Sequence, residues 1–121
     1  MQMNEMQFSE GVPVDGYGPG FFRIAGQVVQ GPICLGPTGL CAWRGYDNLD
    51  PLMALADAVD VIFVGTGAEI AFLPDPVRQC LEKASFGVEP MSSPAACRTY
   101  NVLLSEGRRV ALAALPVATG G

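Results

Sequence analysis

The groups in this chain that could take part in chemistry are four cysteines, twelve carboxylates and a Gly65-Thr66-Gly67 turn. Histidine is absent and lysine is limited to Lys83, which removes the commonest general base and the usual Schiff-base amine. The cysteines stand at 34, 41, 80 and 97 with no C-x-x-C pair, so zinc-ligand spacing is missing. No metal and no cofactor is expected. In a reducing compartment the four are free thiols rather than a disulfide framework. Cys97 falls in the first turns of a helical pattern beside Arg98, where the helix dipole and the guanidinium both lower a thiol pKa. It also falls on the apolar face with no histidine to activate it, so a buried, inert cysteine is preferred to a reactive one. Glu69, Asp75 and Glu106 have no spacing that suggests an acid/base pair, and solvated or capping roles are expected. No catalytic residue is assigned.

Gly65-Thr66-Gly67 follows an apolar run, as a dinucleotide loop does, but position 70 is Ile70 instead of glycine. Phe72-Leu73-Pro74 stands where a helix should open. A tight turn that uses glycine for positive φ or close backbone approach is preferred to a ligand loop. Asn101 lies within the apolar arc between Cys97 and Leu104, so its amide needs hydrogen-bond partners. It either ties its helix to a neighbouring backbone segment, the preferred reading, or forms a polar spot on the floor of a pocket. Val102 points away from that arc, near Arg98, and suits an apolar contact surface.

The elements that must position these residues change character along the chain. Residues 1–20 contain Gly16-Tyr17-Gly18-Pro19-Gly20 and read as an N-terminal arm or loop. Residues 21–116 read as a single domain, and 117–121 as a C-terminal tail. From Phe21 to Arg44, short β-branched and aromatic pieces alternate with glycine and proline turns. A turn centred on Pro37-Thr38 would pair Leu35 with Leu40 and therefore Cys34 with Cys41.

Three cap-proline pairs follow: Asp50-Pro51, Asp75-Pro76 and Ser93-Pro94. Each precedes a stripe of period 3.6, so three helices are expected to start there, with Gly87 and Gly107 as C-terminal caps. Val61–Val64 and Val110–Leu115 are apolar on both faces, as covered central strands are. Val88-Glu89-Pro90-Met91 suits an edge, because proline cannot donate to a ladder. The order predicts an α/β fold: a central mixed sheet flanked by helices, with an additional β-hairpin layer from the N-terminal half.

Bulk properties bound the partners. The net charge is −5 and the six arginines are scattered apart from Arg108-Arg109, so nucleic acid and anionic membrane are disfavoured. No apolar run approaches the roughly 18–20 residues needed to cross a bilayer. The first positive charge is Arg23, unlike a signal or transit peptide. A bacterial cytoplasmic setting is expected.

Ala96-Cys97-Arg98-Thr99-Tyr100-Asn101, then Glu106-Gly107-Arg108 and an apolar strand, resembles one small α/β family, as does Val61–Gly67. It is the family of mitochondrial complex I assembly factor three and the adipogenesis-associated small-domain proteins. The similarity spans 20–116, and its specific part is the last thirty residues. It implies a central mixed sheet with helices and an extra β layer. Its motif falls on Gly65, Gly67, Ala96, Tyr100, Asn101, Glu106 and Arg108.

The positions carried forward for ligand or partner binding are Gly65, Thr66, Gly67, Cys97, Arg98, Tyr100, Asn101 and Arg108. Two functions follow. One is a non-catalytic protein-binding domain, monomer or weak homodimer, that assists assembly of respiratory complex I or another membrane complex. Its partner would be a respiratory-complex subunit or assembly factor. The other is a small-ligand or anion-binding protein or enzyme, using a pocket between the Gly65–Gly67 loop and the helix starting at Ser93.

Overall fold

A computed structural model describes residues 11–118 of the chain. Short strands separated by glycine turns build the first half. β1 (Val14–Gly18), β2 (Phe21–Ile24) and β3 (Gln27–Gln30) form an antiparallel three-stranded sheet in that order. β4 (Ile33–Gly36) and β5 (Gly39–Cys41) make the expected hairpin, with Leu35 opposite Leu40 and Cys34 opposite Cys41. All four cysteines are free.

The hairpin joins the second half of the chain in one mixed sheet. α1 (Asp50–Met53), β6 (Val61–Gly65), α2 (Asp75–Glu82), β7 (Gly87–Met91), α3 (Ser93–Ser105) and β8 (Val110–Ala114) complete the order. The five strands run β5-β4-β8-β6-β7, with β6 parallel to β7 and β8, and β8 antiparallel to β4. β8 and β6 lie inside the sheet as their two apolar faces require, and β4 is the third inner strand. β7 takes an edge, where Pro90 removes no needed donor.

The sheet separates two cores. On one side Phe63, Leu112 and Leu35 pack with Ala96, Cys97 and Tyr100 of α3 and with Phe22 and Ile24 of the small sheet. On the other, Ile62, Val64 and Ala113 pack with Leu52, Leu55, Val77, Leu81 and Trp43. The alternation of strand side chains sends neighbours such as Ile62 and Phe63 to opposite layers.

Several expectations are corrected. Residues 14–18 are a strand rather than an arm: Val12 and Val14 are buried and β1 pairs with β2 in spite of an irregularity between Val14 and Gly16. The first ten residues of that expected arm, and 119–121 of the expected tail, lie outside the described residues. The helix after Pro51 keeps one turn, then continues as turns with Leu55, Ala56 and Ala58 bonded to the third residue back. This tighter winding still buries Leu52, Leu55 and Val59. Neither Asp50 nor Asp75 caps its helix through its side chain, and the cap of α3 is Ser92, whose hydroxyl accepts from Ala95 N–H. Gly107 closes α3 with φ 81, and Arg108 N–H bonds Leu103 C=O. Gly87, expected as a cap, instead opens β7.

Candidate functional site

Gly65, at the end of β6, lies against the first turn of α3. A Cβ there would stand 2.6 Å from Ser93 Oγ and 2.8 Å from Ser93 Cα, so only glycine permits the approach. Gly67 has φ 108, donates its N–H to Ser93 Oγ at 2.9 Å and accepts from Ser93 N–H at 2.7 Å. The Ser93 hydroxyl in turn donates to Leu115 C=O, and its residue is 1% exposed. The pocket expected between this loop and the helix is therefore closed. The Gly67 N–H, the Ser93 N–H and the Ala95 N–H all have protein acceptors, which leaves them nothing to offer an anion. In the sequence Ser93 has the mark of a helix cap, and nothing in its spacing signals its burial under the glycine loop.

Thr66 extends the same network outward. Its hydroxyl lies 2.8 Å from Glu69 C=O and 3.0 Å from Met91 C=O, and accepts Ala71 N–H at 3.0 Å. The segment 70–73 is thus pinned at Ala71, and a second time by Leu73, which is buried in the core.

Further along α3, Tyr100 and Asn101 face the small sheet. The Tyr100 hydroxyl donates to Val12 C=O at 2.8 Å, and burial raises its pKa above the ordinary phenol value. The Asn101 amide donates to Val14 C=O at 2.8 Å and accepts Val14 N–H at 2.9 Å. The tie to backbone is as expected, and Asn101 is half-buried although it lies within the apolar arc. Cys97 is buried, and desolvation pushes its thiol up to about 11. Burial outweighs the dipole and Arg98, which lowers any nucleophilic reactivity. Arg98, Val102 and Arg108 are exposed, and neither arginine is ion-paired among the described residues. Arg98 and Val102 share one face of α3, four residues apart.

The candidate positions therefore divide into a structural group, Gly65, Thr66, Gly67, Cys97, Tyr100 and Asn101, and two surface arginines. The structure does not bring Arg98 or Arg108 to the glycine loop. Among the described residues no three His, Cys, Asp or Glu side chains cluster as a metal site would need.

A large concavity lies elsewhere among the described residues. A groove of about 760 Å³ runs between the 70–73 strap, α2 and the free edge of β7, with Phe86, Val88 and Pro90 along its floor. Ile70 is 67% exposed and Phe72 101% exposed at its rim, beside Asp75, Arg78 and Glu82. Arg78 bonds both carboxylates, at 3.4 and 3.3 Å, and they hold its pKa above the ordinary value. A solvent-facing phenylalanine next to an apolar trough is a feature that contact surfaces share. The sequence signal was Ile70-Ala71-Phe72-Leu73, an apolar run assigned to no element.

Residues 14–115 match the family described as "Protein of unknown function (DUF498/DUF598)". The chain belongs to that family. Among its relatives, an uncharacterized protein of Rhodobacter capsulatus is 49% identical over 117 residues, covering 97% of this chain and 94% of that one. NADH dehydrogenase [ubiquinone] 1 alpha subcomplex assembly factor 3 of Danio rerio is 31% identical, covering 96% of this chain and 71% of that protein. The human protein of that name is 28% identical over 93% of this chain, which spans 65% of its length. The family resemblance read from Val61–Gly67 and Ala96–Asn101 is thus correct.

Among solved structures, one described as an outer membrane protein from Bartonella henselae superposes with TM-score 0.80 and 33% identity. It covers 88% of this chain and 95% of that one. A Bordetella pertussis protein described as a Mth938-like domain gives TM-score 0.74 and 26% identity, covering 99% and 94%. The mixed α/β fold of this DUF498/DUF598 member is therefore that of its neighbours. No helix among its described residues is long and apolar enough to cross a membrane.

Proposed function

We propose that this protein is a non-catalytic binding domain that assists assembly of respiratory complex I or another membrane complex. The observation that carries this reading is the alignment of complex I assembly factor 3 along 96% of the chain. The geometry supports it from the other side. Of the family-motif residues, Gly65, Gly67, Ala96, Tyr100 and Asn101 hold the fold together, while apolar side chains are presented to solvent on the 70–73 strap and at Val102. Its partner would be a subunit of the complex or another assembly factor, met from the bacterial cytoplasm by a monomer or weak homodimer. Deleting the gene in the native host and resolving complex I on native gels, with NADH:quinone activity alongside, tests the role. Loss of assembled complex, restored by the wild-type gene, is the expected result. Unchanged complex I would remove it.

A further inference from the structure

The groove restricts what can enter it, first through its backbone. In a parallel ladder each residue turns both its main-chain groups to one side, and successive residues alternate. Gly87 N–H reaches Asp60 C=O and Met91 C=O accepts Thr66 N–H, so Gly87, Glu89 and Met91 face β6. Val88 and Pro90 are left facing the free edge, and proline has no N–H. A single donor on that edge is too little for an added strand. An occupant of this groove is held by its side chains.

Charge is the second restriction. Asp75 and Glu82 line the groove, and Glu69 is exposed next to the lining residue Ile70. Against these three carboxylates stand two cations, Arg78 and Lys83, and Arg78 is already engaged by Asp75 and Glu82. A second copy would bring the same acidic rim against this one, which like-charge repulsion opposes. A basic partner gains from it, and the open face of Phe72 offers a seat for a guanidinium or ammonium group.

Resting on the protein-binding reading above, we propose that this groove takes a protein segment with a bulky apolar anchor flanked by Lys or Arg. The anchor seats on Val88 and Pro90 beside Phe72. The basic flanks meet Glu69, Asp75 and Glu82. Thr66 is a positioning residue, because its hydroxyl holds Ala71 and so fixes the strap that carries Phe72.

The test is selection of a random displayed peptide library on the purified full chain. Selected peptides are then measured by fluorescence polarisation at low and high salt. The expected peptides combine an aromatic or large aliphatic residue with basic flanks, and they bind more weakly as salt rises. Phe72→Asp, at a side chain the fold does not use, should weaken them at least about ten-fold. Val28→Asp, at an exposed site on the three-stranded sheet, should leave them unchanged. Absence of enrichment, neutral or acidic flanks, or indifference to Phe72→Asp would each overturn the proposal. So would a sedimenting dimer that Phe72→Asp dissociates, since a second copy would then be the occupant. Peptides as expected with intact complex I in the deletion strain would keep the groove and remove the assembly role. The opposite pair of results would remove the groove alone.

Discussion

Tyr100 and Asn101 hold down a segment almost ninety positions away in the chain, with bonds to Val12 and Val14 that span 88 and 87 residues. Asn101→Leu would strand both main-chain groups of Val14, and should cost about 1–3 kcal/mol in a denaturant titration. A neutral substitution would mean that water replaces the amide there. Cys97 makes the opposite point, because its neighbours in sequence suggest activation and its burial decides against it. The folded thiol titrates at about 11 instead of 9.0. Between those two values the unfolded chain releases a proton that the folded chain keeps, so Cys97 lowers stability as pH rises through that window. Alkylation near neutral pH should leave Cys97 unmodified in the folded protein and label it after denaturation. Rapid native labelling at that position would contradict its burial. Periodicity placed Asn101 and Cys97 on the inward arc of α3, but it could not show what they face. The partner of Asn101 comes from β1, which Gly16 and Gly18 disguise as a loop.

At the scale of elements, the legible parts are those where pattern and packing agree. The uninterrupted apolar runs of β6 and β8 mark two of the three inner strands, and Pro90 marks the edge. The symmetric turn at Pro37-Thr38 set the register that faces Cys34 with Cys41. α1 shows where local preference loses: the sequence after Pro51 suits a longer helix, yet burial of Leu52, Leu55 and Val59 selects a tighter path into β6. The Gly65–Gly67 loop was legible as a turn, but its contact with Ser93 was not, because tertiary approach leaves no mark in spacing. Gly65→Ala would push a methyl into the Ser93 backbone and should destabilise by about 1–3 kcal/mol in thermal or chemical unfolding. Unchanged stability would show that the helix shifts freely. Thr66→Val removes the acceptor for Ala71 N–H and should speed hydrogen exchange at Ala71 with little change at Leu112 in the core. Equal exchange at both would detach Thr66 from the strap.

For the whole molecule, charge and chemistry point the same way. The net charge is −5 and histidine is absent, which weighs against nucleic acid and anionic lipid as partners and against histidine-dependent catalysis. What remains on the surface is apolar area in defined places, chiefly the strap and the groove behind it. The groove escaped the sequence because it forms from a strap, a helix and an edge strand that meet only in three dimensions. The relatives named as complex I assembly factor 3 are the basis of the assembly role proposed here, and the groove is the surface proposed for it. The most direct measurement is the amount of assembled complex I in a strain lacking the gene, complemented with wild type or with Phe72→Asp at equal protein level. The account predicts a deficit in the deletion strain, recovery with wild type and persistent deficit with the folded Phe72→Asp protein. Normal complex I without the gene, or full recovery by Phe72→Asp, would contradict it.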